Sequence, residues 1–134
     1  MKILKIDHLG IAVKDLAAGI RAYETLGFHV EAEHDVPTEK VKTAFLPVGE
    51  SHLELLEPTD PTSVIAKFLE KRAGLHHVCI AVPDIQAELD ALKAKGVELL
   101  DQVPRIGAGG RKVAFLHPRA AGGVLLELVE RKGI

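Results

Sequence analysis

Apolar residues recur along the chain at two spacings, and each spacing occurs twice. Leu16, Ile20 and Tyr23 fall four and three residues apart, the spacing of one helical face, and Ile85, Leu89 and Leu92 repeat it. Asp15 and Asp84 stand where a helix N-cap belongs, and Gly27 and Gly96 stand where each helix should stop. In front of each helix lies an apolar run with a histidine at the same place, "IDHLGIAVKDL" and "LHHVCIAVPDI", which reads as a strand. All these positions, His8 and His77 included, lie 69 residues from their counterparts.

The match continues past the helices. "FHVEAEHDV" and "VELLDQV" read as the next strand of each half, "VKTAFLP" answers "RKVAFLHP", and "SHLELLEP" answers "GVLLELVE". The offset reaches 73 where Glu54 meets Glu127, as loop insertions would produce. Each half therefore predicts a strand, a helix and three strands. Between the halves, "PTDPTSVIAKFLEKRAG" opens with turn residues and then sets Val64, Ile65, Phe68 and Leu69 at helical spacing. We read residues 62–72 as a linker carrying one short helix. The expectation is a single α+β domain over 1–134, built from tandem βαβββ units at about 1–58 and 73–132. A unit of about 60 residues buries too little surface to be stable alone. Two such units pairing through their sheets share a core, and a pseudo-twofold axis brings equivalent strand positions to face one place.

Composition narrows the setting. The 134 residues are 47% hydrophobic and 27% charged, as in soluble globular proteins. A net charge of −2 gives no electrostatic footing for nucleic acid or an anionic membrane, so no partner of either kind is expected. Cys79 is the one cysteine, which rules out an internal disulfide and fits a reducing compartment. No signal-like or membrane-spanning run is present, and a cytoplasmic location is expected.

Strand alternation then selects the chemistry. His8 points away from Asp7 and Leu9, and His77, as the mate of His8, points away from His76. Glu54 in "LELLEP" and Glu127 in "LLELVE" are each flanked by leucines, where an ionised carboxylate is costly without a partner. One strand histidine alone is more often a hydrogen-bonded core residue, and one such glutamate more often sits at a sheet edge. Two matched pairs reverse those odds. Two imidazoles and two carboxylates suit a divalent ion held by N and O donors, with positions left open for substrate. Cys79 is read as packing. "GAGG" at 107–110 precedes a strand, so it is read as a hairpin and not a phosphate loop; Arg105, Arg111 and Lys112 around it are read as a solvated basic loop. His29, His34, His52 and His117 have no repeat mates and receive no role.

This tandem pattern resembles the vicinal oxygen chelate superfamily of glyoxalases, bleomycin-resistance proteins and extradiol dioxygenases. Within it, "LELLEPT…SVIAKFLEKRAGLHHVCIAV" and "GGRKVAFLHPRAAGGVLLELVE" look most like the methylmalonyl-CoA epimerase family. The resemblance implies that the mixed sheets of the two units pair into a cupped, barrel-like metal site. It implies His8, Glu54, His77 and Glu127 as ligands of a divalent ion, with Co²⁺ the first choice and Mn²⁺, Ni²⁺, Zn²⁺ or Mg²⁺ as alternatives. The implied substrate is methylmalonyl-CoA, inverted at carbon 2 through an enolate, with Glu127 and Glu54 as the acid/base candidates; a homodimer is implied as well. Some family members carry a carboxylate on the strand "VKTAFLP", where this chain has Thr43 beside Lys42. Threonine is a poor general base, so the second acid/base group is open between Glu54, a lysine such as Lys42, and a water. The rival readings are a glyoxalase I-type isomerase acting on a glutathione adduct and a metal-free protein that sequesters a small molecule.

Overall fold

The computed structural model describes residues 1–133. Its elements run β1 (Lys5–Ala12), α1 (Leu16–Thr25), β2 (Ala32–Val36), β3 (Val41–Val48), β4 (Ser51–Pro58), α2 (Val64–Leu69), β5 (Gly74–Val82), α3 (Ile85–Ala94), β6 (Arg105–Ile106), β7 (Lys112–Phe115) and β8 (Leu126–Glu130). Strand–helix–three strands occurs twice with α2 between, so the expected α+β order is the observed one. The chain divides into two compact units, His8–His76 and the remainder, with Met1–Asp7 grouped with His77 onward. Within the latter unit Leu4 N–H donates to the carbonyl of Ala81 at 2.9 Å.

In the His8–His76 unit, β1 pairs in parallel with β4, and β4–β3–β2 continue antiparallel. One face of this sheet packs Ala44, Leu46 and Leu55 against Leu16, Ile20 and Tyr23 of α1, the stripe read from the sequence. The helix begins where Asp15 accepts a hydrogen bond from Ala18 N–H at 3.0 Å. It ends before Gly27, whose φ of 107° is left-handed backbone that favours glycine. The opposite face follows from the register. His8, Gly10 and Ala12 lie beside His52, Glu54 and Leu56, which lie beside Pro47, Phe45 and Thr43; His34 lies beside Thr43.

The other unit repeats the design. β5 pairs in parallel with β8, and β8–β7–β6 run antiparallel. Ile85 and Leu89 of α3 pack with Leu92 on Val82, Ala114 and Leu128, and Asp84 caps the helix through Ala87 N–H at 3.1 Å.

The strand expected at "VELLDQV" does not form. Only Leu99 makes an isolated bridge, to Leu116, and the strand of this hairpin is the two-residue β6 beyond it. Side chains supply the reason. Leu100 and Asp101 N–H groups both donate to the carbonyl of Phe115, while the Asp101 carboxylate accepts from Phe115 N–H at 2.8 Å, taking the place of a ladder bond. Pro104 follows and carries no N–H to donate. Glu98 is turned outward into a two-pronged contact with Arg119 at 3.1 and 2.9 Å, whose hydrogen bonds hold its carboxyl below the usual carboxylate range.

Candidate functional site

In the His8–His76 unit, the face turned away from α1 carries a buried acid–imidazole pair. His8 Nε2 lies 3.1 Å from Glu54 Oε1, and each residue is 5% exposed. Glu54 pairs with Gly10 across β1 and β4, so its side chain leaves the sheet on the side of His8. Phe45 pairs with Glu54 across β3 and β4 and sets its ring edge-on to the His8 imidazole, with centroids 5.9 Å apart. The carboxylate between leucines thus has the partner that burial demands.

The second unit repeats the His–Glu–Phe arrangement, with Cys79 beside Glu127 where the first has Gly10 beside Glu54. His77 Nε2 lies 3.1 Å from Glu127 Oε1, and both are buried. Phe115 pairs with Glu127 and meets the His77 ring edge-on at 5.6 Å. The phenylalanine is a part of the motif that sequence reasoning passed over, although its signal was present: "AFLP" and "AFLHP" repeat it. In both pairs the atoms brought together are an imidazole Nε2 and a carboxylate oxygen, the donor types that hold borderline divalent ions. His77 and Glu127 also belong to a group of side chains close enough to take one.

The remaining candidates are placed as follows. His76 turns away from His77 and meets the Phe68 ring edge-on at 4.9 Å. Cys79 is fully buried and packs with Ala81, Val113 and Val129. Gly107–Gly110 form the β6–β7 hairpin turn, with Gly107 N–H donating to the Arg111 carbonyl. The basic loop is not simply solvated: Arg105 pairs with Asp101 at 3.2 Å, and Arg111 lies 4.0 Å from Asp7. Asp7, 1% exposed, also accepts from Arg131 Nε at 2.8 Å. Lys42 lies on the opposite face of β3 from Thr43, 3.6 Å from Glu57. Thr43 is 1% exposed, and its hydroxyl has no hydrogen-bond partner among the described residues. His117 caps the turn at Arg119 through Nδ1, and His52 Nε2 meets Glu31 at 2.8 Å.

Comparison with known proteins adds an independent line. Residues 7–115 match the Glyoxalase/Bleomycin resistance protein/Dioxygenase superfamily. The ethylmalonyl-CoA/methylmalonyl-CoA epimerase of Cereibacter sphaeroides is 43% identical over 92% of this chain and 96% of its own length. The crystal structure of methylmalonyl-CoA epimerase from Mycobacterium tuberculosis superposes with a TM-score of 0.92 at 37% identity, covering 98% of this chain and 90% of that one. A methylmalonyl-CoA epimerase solved in complex with methylmalonyl-CoA and ammonium gives 0.92 at 38% identity, covering 96% and 95%. Matched over most of its length in sequence and in backbone, the chain belongs to the glyoxalase/bleomycin resistance protein/dioxygenase superfamily.

Proposed function

We propose that this chain interconverts the two epimers of methylmalonyl-CoA at carbon 2, with a divalent ion held by His8, Glu54, His77 and Glu127. The observation that carries the reading is the duplicated buried His–Glu pair, in a chain whose relatives matched over nearly their full length include methylmalonyl-CoA epimerases. Co²⁺ is our first choice of ion for this N and O donor set.

The proton on carbon 2 lies between a thioester and a carboxylate and is only weakly acidic in water. A bound divalent ion supplies a Lewis acid for the negative charge that develops when this proton leaves. The chain supplies the rest. Glu127 removes the proton and holds it, its carboxylate oriented by the His77 ring and by Phe115 beside it. Glu54, oriented by His8, keeps a second carboxylate in the same chemistry. Burial of both pairs keeps bulk water away from the carbanion, so that protonation is controlled by side chains. We read the working form as a cytoplasmic homodimer.

The test is exchange at carbon 2 of methylmalonyl-CoA in D₂O, followed by NMR, for protein loaded with a divalent ion and for protein stripped of it. Metal-dependent exchange with inversion is expected. No exchange with any divalent ion would sink the epimerase reading and make a glutathione adduct the next substrate to try.

A further inference from the structure

Val64, Ile65, Phe68 and Leu69 form one apolar stripe in the sequence, and the structure splits it. Ile65, 3% exposed, anchors α2, which packs on β4. Val64, 61% exposed, and the half-buried Phe68 stand one turn apart on another face. Lys67 and Lys71 interleave with them, since positions 64, 67, 68 and 71 fall on one side of a helix. The turn continues past Leu69, where the N–H groups of Lys71 and Arg72 both donate to the Phe68 carbonyl at 3.1 Å.

These side chains, with Arg72 and His76, line a groove of about 850 Å³ that lies wholly within the His8–His76 unit. Its volume falls in the range of small-molecule sites, about 300–1,000 Å³. Three cations against one carboxylate, Glu70, leave a local charge of +2 in a chain of net −2. Among the described residues none of the three cations reaches a carboxylate. Arg105, Arg111, Arg119 and Arg131 all do. The Arg72 guanidinium instead lies 5.0 Å over the Phe68 ring, which the His76 ring meets edge-on at 4.9 Å. Held by the ring, its N–H fork loses little freedom when it binds a phosphate.

A basic helix end is ordinary, because a cation there offsets the negative end of the helix dipole. That role does not account for this face. Lys67 and Lys71, one turn apart, repel each other, and a solvated surface gains nothing from the exposed Val64 and Phe68 between them. An anion with an apolar ring satisfies both features at once.

We propose that this groove binds a nucleotide bearing two or more phosphates, its base packed against Val64 and Phe68 and its phosphates met by Lys67, Lys71 and the fork of Arg72. This chemistry has two sources, a free nucleotide or the phosphorylated adenosine end of a coenzyme A thioester. In the second case the groove holds the far end of the substrate, and that assignment alone rests on the epimerase reading above.

The probe is adenosine 3′,5′-bisphosphate, titrated calorimetrically into the full chain at fixed salt, with inorganic pyrophosphate as the comparison. Wild type should bind the nucleotide about tenfold more tightly than pyrophosphate, because only the nucleotide carries a base. Arg72→Gln, and Lys67→Gln combined with Lys71→Gln, should each weaken the nucleotide by about tenfold, the scale of a hydrogen bond to a charged group. Val64→Ser should weaken the nucleotide and leave pyrophosphate unchanged. Glu70→Gln should tighten binding about twofold. These side chains are exposed, and a thermal melt identifies the variants that are intact. No nucleotide binding, equal affinity for pyrophosphate, or binding that Arg72→Gln and the lysine pair leave unchanged overturns the proposal and makes the cations a solvated helix end. Displacement of the probe by methylmalonyl-CoA but not by methylmalonyl-pantetheine makes the coenzyme the occupant. A probe that stays bound alongside methylmalonyl-CoA makes it a free nucleotide. Displacement by the pantetheine ester as well puts the probe outside this groove and overturns the proposal. None of these readouts needs turnover, so a failed exchange experiment and an empty groove are distinguishable.

Discussion

The Glu57 carboxylate accepts a hydrogen bond from the backbone N–H of Leu16 at 2.6 Å, so the far end of β4 caps the first turn of α1. The second unit repeats the contact: Glu130, at the end of β8, accepts from Ile85 N–H at 3.2 Å. These glutamates supplement Asp15 and Asp84, and together they satisfy amide groups that no helical carbonyl can reach. Replacing either glutamate with alanine should cost about 1 kcal/mol, the usual worth of a helix cap. Urea unfolding of Glu57→Ala and Glu130→Ala would check it; a loss near zero in both would mean that the aspartates suffice.

Thr43 gives a prediction for stability. Valine has the shape of threonine without the hydroxyl, and removing an unpaired buried hydroxyl removes a desolvation cost. Thr43→Val should leave stability unchanged or raise it by up to about 1 kcal/mol. A destabilised variant, read by urea unfolding, would show that the hydroxyl makes a stabilising contact.

Asp7 is the buried charge that a careless substitution would expose most. Its carboxylate is almost wholly buried between Arg131 and Arg111, all within one unit. Removing its closer partner, Arg131, leaves this buried carboxylate without that compensation, at a cost of about 3 kcal/mol or more. Arg131→Ala should therefore unfold at markedly lower denaturant than Arg111→Ala, whose guanidinium is the more distant and more exposed partner. Equal losses would show that the two arginines share the carboxylate evenly.

How much of this was legible in the sequence depended on whether a residue had a repeat mate. His8, Glu54, His77 and Glu127 stood out because each recurs in the other half, and the structure pairs them within their own units. The helix caps were legible for the same reason. Asp7 was not, because its partner Arg131 lies 124 residues away and nothing local signals the contact. β6 was misplaced because a carboxylate from Asp101 replaces the expected ladder bond, and hydrophobic alternation does not register a side chain acting as backbone. His34 had no repeat mate and therefore no weight, and only the cross-strand register with Thr43 gives it a neighbourhood.

The two adjacent histidines at the start of β5 separate ligation from packing. Neighbouring residues on a strand face opposite ways. His77 meets Glu127, whereas His76 meets the Phe68 ring on α2, which also lies under the Arg72 guanidinium at 5.0 Å. If His77 is a ligand, His77→Ala should lose bound divalent ion when equilibrated and desalted, with metal content read by elemental analysis. His76→Ala should keep its metal and instead lose about 0.5–1.5 kcal/mol of stability, the scale of one ring–ring contact. Glu127→Gln isolates the remaining role. The amide oxygen still offers a donor to the ion, but the group no longer accepts a proton, so metal should be retained at least in part while exchange at carbon 2 disappears. Unaltered metal in His77→Ala would remove it from the ligand set, and an active Glu127→Gln would remove Glu127 from proton transfer.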